Sequence, residues 1–233
     1  MEYQKVTKKF SLNNSYFKFM RYDYPQNPYE IVEYYKQHNE LPFTTSDMDN
    51  WLYNCFVEYQ KRNGVYHSQF FTPPNTAERV GTITHEFNLN RGLTVLDACC
   101  GFGMLSKALI DEDYTVDAFD FNPNFESLYK FYVNYGHFQV NKISEFPTNL
   151  QYDYVVSNPP YEIPVLTEFF EKLDLWLKPG GTSILLLPKG FVDKTKPKNL
   201  VTALTKFNVV HREDMTEEFA RTKIKGEIVI LEK

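Results

Sequence analysis

Between Leu93 and Leu231 short apolar runs alternate with segments of helical periodicity, and few folds accept that order. The strand-like runs are 93–97, 114–119, 138–143, 152–156, 182–187, 208–211 and 227–231. The intervening stretches 104–110, 125–135 and 164–177 carry apolar residues at helical spacing. In the last of these, Leu166, Phe169, Phe170, Leu173, Trp176 and Leu177 form one stripe, and Pro179-Gly180-Gly181 ends it. Strand–helix alternation over this length predicts an α/β fold, a doubly wound sheet with helices on both faces. The run 182–187 is apolar throughout and is therefore expected near the centre of the sheet.

Residues 1–65 read differently, as a small N-terminal helical appendage to a domain spanning 66–233. A helix is expected after a cap at Ser46-Asp47, with Trp51, Leu52, Cys55, Phe56 and Tyr59 on one face and Gly64 as its stop. A shorter one is expected from Tyr29 to His38. No apolar run approaches the ~20 residues of a membrane span, and the first residues lack the apolar core of a secretory signal. A cytoplasmic location with no membrane partner is the expectation. Cys55, Cys99 and Cys100 form no C-x-x-C pair, and the five histidines show no ligand spacing, so neither a disulfide framework nor a metal is expected.

The net charge of −5 is uneven: residues 66–186 hold 7 Lys/Arg against 15 Asp/Glu, while residues 187–233 hold 10 against 7. Contact with a polyanion is thus expected near Lys189, Lys194, Lys196 and Lys198, which follow the fifth strand. A solvated loop explains those lysines as well.

In a doubly wound sheet, ligands bind outside the carboxyl ends of the strands, beside the switch in strand order. Two features fall at such ends. Asp97-Ala98-Cys99-Cys100-Gly101-Phe102-Gly103 follows the first strand, where glycines permit a tight turn and close approach of a ligand. Its spacing is neither that of a dinucleotide fingerprint nor that of a phosphate-binding P-loop. Asp120 ends the second strand, where an acid can hold ribose hydroxyls, and Phe121 beside it can lie against a purine. The second feature is Asn158-Pro159-Pro160-Tyr161 after the fourth strand. Its prolines fix the backbone and remove two donors, so that the Asn158 side-chain oxygen and the Pro159 carbonyl can both accept from one amine.

With Gln69-Phe70-Phe71-Thr72-Pro73-Pro74 upstream, these motifs stand in the order found in S-adenosylmethionine-dependent N6-adenine DNA methyltransferases of the gamma order. Over residues 66–233 the chain resembles that family, including the catalytic domains of type I modification subunits. The resemblance implies a Rossmann-like seven-stranded methyltransferase sheet and S-adenosylmethionine as cofactor. It implies that Thr72 binds the methionine carboxylate, with Phe70 and Phe71 as its wall. Asp97, Cys99, Gly101 and Gly103 would line the methionine and ribose, Asp120 would hold the ribose, Phe121 would flank the adenine, and Asn158 would stand between cofactor and substrate. Asn158, Pro159, Tyr161 and Phe219 become the catalytic set, Tyr161 and Phe219 stacking on a base flipped out of the nucleic acid. On residue type alone, Phe219 is equally suited to a core position before the last strand.

The implied reaction is methyl transfer to the exocyclic N6 of adenine in DNA, as in restriction–modification systems. The same chemistry on RNA or on a protein glutamine amide is the alternative, as is a cofactor-binding subunit active only with a specificity partner. The chain departs from the family after its third strand, where Asn141-Lys142-Ile143-Ser144-Glu145 supplies no clear acid for the cofactor's adenine.

Overall fold

A computed structural model describes residues 27–39, 48–63, 70–87, 93–217, 219 and 224–233. The expected cap at Ser46-Asp47, the Gly64 stop, Gln69 and the neighbours 218 and 220–223 of Phe219 lie outside the described residues. The described residues fall into two compact units, one within 1–65 and the other within 66–233.

In the first unit a single 3-10 turn, Pro28–Glu30, is capped by Asn27, whose side-chain oxygen accepts from the Tyr29 amide at 3.2 Å. It leads into α1 (Ile31–His38), which ends at Asn39 in the left-handed conformation. Helix α2 (Met48–Asn63) buries Trp51, Leu52, Phe56 and Val57. Cys55 and Tyr59, expected on the same face, are only partly covered. Tyr29 meets Phe56 edge-on with 5.1 Å between ring centroids.

The second unit is a seven-stranded sheet with helices on both sides. Its strands are β1 (Thr94–Ala98), β2 (Thr115–Asp120), β3 (His137–Val140), β4 (Tyr152–Ser157), β5 (Leu177–Pro188), β6 (Asn208–Asp214) and β7 (Gly226–Glu232). They lie in the order β3-β2-β1-β4-β5-β7-β6, all parallel except β7, which runs antiparallel to both neighbours. Helices α4 (Met104–Ile110), α5 (Phe125–Tyr132) and α6 (Ile163–Trp176) correspond to the three helical stretches of the sequence. One face of the sheet buries Leu96, Phe119, Val155, Leu185 and Val229 against Leu166, Phe169, Phe170 and Leu173 of α6. The alternate strand residues, among them Val95, Val116, Val156, Ile184 and Ile230, are buried as well. A strand covered on both faces needs such continuous apolar runs.

Several boundaries differ from expectation. Strand β5 begins at Leu177, five residues before the expected start at Thr182, because Leu177 pairs with Tyr152 of β4 and the backbone of Gly180 and Gly181 pairs with Lys233 at 3.1 and 3.0 Å. It has neighbours on both sides, although β4 holds the central position. Helix α3 (Pro74–Glu86) was not legible: Thr76, Gly81, Thr82 and Thr84 are weak helix formers, yet Ala77, Val80 and Ile83 bury one face. Proline at its first position costs no hydrogen bond. The lysine-rich stretch after β5 holds two short helices, α7 (Phe191–Lys194) and α8 (Lys198–Leu204).

Candidate active site

The strand order reverses between β1 and β4, and there the carboxyl ends of both strands open into a cavity of about 430 Å³. That lies within the ~300–1,000 Å³ typical of small-molecule sites. Ala98 pairs with Ser157 across the switch, and the Ser157 hydroxyl donates to the Ala98 carbonyl at 2.6 Å, locking the two ends together. The glycine loop and the Asn-Pro-Pro-Tyr turn thus sit side by side.

The loop after β1 is left-handed at alternate residues, with φ of 59° at Cys99, 57° at Gly101 and 97° at Gly103. Gly101 lines the cavity, and its amide donates to Asp120 at 2.9 Å. Gly103 does not line the cavity, contrary to expectation. A Cβ there would lie 2.5 Å from Val133 and 2.7 Å from Tyr129, so this glycine serves the packing of α5 on the loop. Gly103→Ala is therefore expected to destabilise the fold by about 3 kcal/mol, measurable by urea unfolding, since left-handed strain and overpacking each cost ~1–3 kcal/mol.

Two buried carboxylates face the cavity. Asp97 is fully buried; one oxygen accepts from Ser106 Oγ at 2.5 Å and the other has no partner. Burial outweighs the Ser106 bond and pushes its carboxyl up to about 7, with the Asp120 charge adding to the effect. Asp120 takes the Gly101 and Asn122 amides, one on each oxygen, both at 2.9 Å. Burial still raises it to about 6 against those bonds. Glu162 and Glu168 add acidic side chains to the lining, and Lys142 is its one basic residue, itself paired with Glu145 at 3.0 Å. Such a lining suits a ligand carrying positive charge.

Phe70, Phe71, Thr72, Asp97, Cys99, Gly101, Asp120, Phe121 and Asn158 all line this one cavity. Phe121 is 52% exposed. Sequence reasoning missed Cys100, Phe102, Met104 and Leu105 along the loop and first turn of α4, as well as Asn141–Ser144 and the α6 residues Val165 and Glu168. The apolar run predicts strand as far as Ile143, but β3 ends at Val140 and the turn that follows lines the cavity.

The Asn158 amide is tied to the upstream element. Its Nδ2 donates to the Phe70 carbonyl at 2.7 Å and to Thr72 Oγ1 at 3.2 Å, while its Oδ1 accepts from the Tyr161 hydroxyl at 2.9 Å. Pro159 is buried and absent from the lining, where Pro160 takes its place. Tyr161 and Phe219 also stand outside the lining and do not face each other across a slot. Their rings are 5.9 Å apart and edge-on, and Phe70 stacks on Tyr161 at 5.8 Å. The three rings pack against one another, and Phe219 is a core side chain with 1% exposure. Of the four lysines, Lys189 is engaged by an ion pair with Asp214. Lys194 ends α7 and Lys198 begins α8, with Lys196 between them, in the segment that follows the carboxyl end of β5; none of the four lines the cavity.

No protein-family model and no curated protein matches the chain. Solved structures do. A protein assigned as a class I S-adenosylmethionine-dependent methyltransferase from Listeria monocytogenes superposes with a TM-score of 0.65 at 14% identity, over 89% of this chain and 79% of that one. A protein assigned as an RNA methyltransferase from Pyrococcus horikoshii gives 0.59 at 21% identity, over 72% and 87%. TrmN from Thermus thermophilus gives 0.54 at 20% identity over 70% of this chain; the chain spans 49% of TrmN's length. The chain has the class I methyltransferase fold. The Rossmann-like seven-stranded sheet expected from the motifs is therefore present. Among the described residues no helix is long and apolar enough to cross a membrane, and no three His, Cys, Asp or Glu side chains converge as metal ligands.

Proposed function

We propose that the protein moves a methyl group from S-adenosylmethionine to the exocyclic N6 of adenine in DNA. The observation that carries this reading is the joining of Asn158 to the Phe70–Thr72 element by two hydrogen bonds, at the cavity where the glycine loop ends. The cofactor's fit rests on the donor set: an unpartnered buried oxygen of Asp97, a second buried acid in Asp120 and an acidic lining suit a cationic ligand. When bound, S-adenosylmethionine supplies an electrophilic methyl group on a positively charged sulfur.

In this reading Asp97 Oδ1 accepts from the cofactor's donors, Asp120 holds the ribose, and Phe121 covers the adenine. Thr72 keeps its own hydroxyl hydrogen for a ligand acceptor, because its oxygen already receives the Asn158 amide. Cys99 and Cys100 act as walls, since burial holds both thiols well above their ordinary values. Asn158 Oδ1, with the Pro159 carbonyl as second acceptor, takes the hydrogens of the substrate amine. Withdrawing the nitrogen lone pair from the ring makes it a better nucleophile, and fixed acceptors stabilise the positive charge that grows on it. Holding the amine in line supplies a further part of the rate.

A base stacked between Tyr161 and Phe219 requires the two rings to part, because they now meet edge to face. Lys194, Lys196 and Lys198 are the phosphate contacts of this reading. RNA is the second reading, favoured by the Pyrococcus horikoshii neighbour assigned as an RNA methyltransferase. The experiment is transfer of labelled methyl to single-stranded DNA, duplex DNA and RNA in parallel. Label in DNA that excess RNA does not suppress is the expected result. Label confined to RNA replaces the first reading by the second, and label on protein rejects both.

A further inference from the structure

We propose that Tyr161 is a positioning residue acting through its hydroxyl, which holds the Asn158 side-chain oxygen toward the amine and then releases it. The proposal rests on the reading of Asn158 as the acceptor for that amine. The two Nδ2 hydrogens of Asn158 are committed to the Phe70 carbonyl and Thr72 Oγ1. Turning the amide over would set its oxygen against the Phe70 carbonyl at 2.7 Å, acceptor on acceptor, so the orientation is fixed from that side. From the other side the Tyr161 hydroxyl reaches Asn158 Oδ1 at 2.9 Å and the Leu186 carbonyl of β5 at 3.2 Å.

One hydroxyl hydrogen has two acceptors in reach. With no amine present it can satisfy Asn158. When an amine donates to Asn158 Oδ1, the hydrogen can turn to Leu186, and no buried donor loses its partner in either state. Release therefore costs little, while orientation is kept until the amine arrives. Burial holds this hydroxyl well above its ordinary range, so it remains a donor at any working pH. The ring cannot substitute for the hydroxyl here. The ring is stacked on Phe70 and meets Phe219 edge to face, whereas the bond to Asn158 is made by the oxygen alone.

Tyr161→Phe keeps the ring and removes the donor, and full-length protein carrying it tests the proposal by two measurements. In steady-state transfer to an adenine substrate, kcat is expected to fall about tenfold while KM for nucleic acid and cofactor Kd stay within about twofold. In nitrogen-15 NMR, the Asn158 side-chain amide hydrogens are expected to exchange with solvent about tenfold faster in the variant, because the amide is then anchored from one side only. Wild-type kcat, or a loss confined to KM, overturns the proposal; the second outcome leaves Tyr161 only its contact with the substrate base. Should the wild type methylate no adenine substrate, the reaction assigned to the site fails, but the amide comparison still decides the clamp. Unchanged Asn158 exchange in Tyr161→Phe then overturns it.

Discussion

Asn158→Ala is expected to lower kcat by about 10²–10³-fold while the cofactor's Kd rises less than about tenfold. The size follows from what one preorganised hydrogen-bonding group contributes where charge develops, ~10²–10³ in rate. The variant removes Oδ1, and with it the acceptor proposed for the amine. It also frees the Phe70 carbonyl and Thr72 Oγ1, which lie in the cavity wall, and this is the source of the small effect on Kd. Separate titration of the cofactor and rate measurement at saturation distinguish the two effects. Undiminished turnover in the variant would remove Asn158 from the chemistry.

Asp97→Asn is expected to act in opposite directions on fold and function. Asp97's folded value of about 7 stands above its ordinary 3.8. The folded state therefore binds the proton more tightly than the unfolded chain, and the carboxyl costs stability as pH rises from about 4 to about 7. Above that the cost is fully expressed. Asparagine keeps an oxygen for Ser106 and carries no buried charge, so the ligand-free variant at pH 8 should be more stable by about 2 kcal/mol, the scale of one unsatisfied buried group. At pH 4, where the wild-type carboxyl is protonated, the gain should vanish. Cofactor affinity should fall by about 10- to 100-fold, since a hydrogen bond to an ionised group is worth ~1.5–3 kcal/mol. Urea titrations at the two pH values and calorimetric binding at pH 8 check both halves. A variant that is no more stable at pH 8 and binds the cofactor normally would contradict the assignment of Asp97.

The elements that sequence made legible are those whose signal is local. Strands 93–97 and 152–156 could be placed because an apolar run followed by a glycine or proline turn fixes both strand and carboxyl end. The sheet then brings those ends together whatever the intervening chain does. Asp97, Gly101, Asp120 and Asn158 stand at or just beyond such strand ends, and they line one cavity. What was missed depends on packing. Val165 and Glu168 lie on a helix whose rotation against the sheet is set by Phe169 and Phe170, so the surface of α6 that reaches the cavity cannot be read from residue type. The glycine pattern of the sequence points to Gly103 as a site of ligand approach. Its true constraint is the Val133 and Tyr129 side chains some 30 residues downstream. The second acceptor for the Tyr161 hydroxyl, the Leu186 carbonyl, lies on β5, and no local pattern announces it. Phe219 belongs to the core, the alternative that its position before the last strand had left open.

The most direct test of the account is mass spectrometry of the nucleosides released from DNA incubated with the wild-type protein and S-adenosylmethionine, beside the same digest from Asn158→Ala. N6-methyl-2′-deoxyadenosine is expected from the wild type and is expected to be lost from the variant. A methyl group on a carbon or ring nitrogen, or equal product from both proteins, would contradict it.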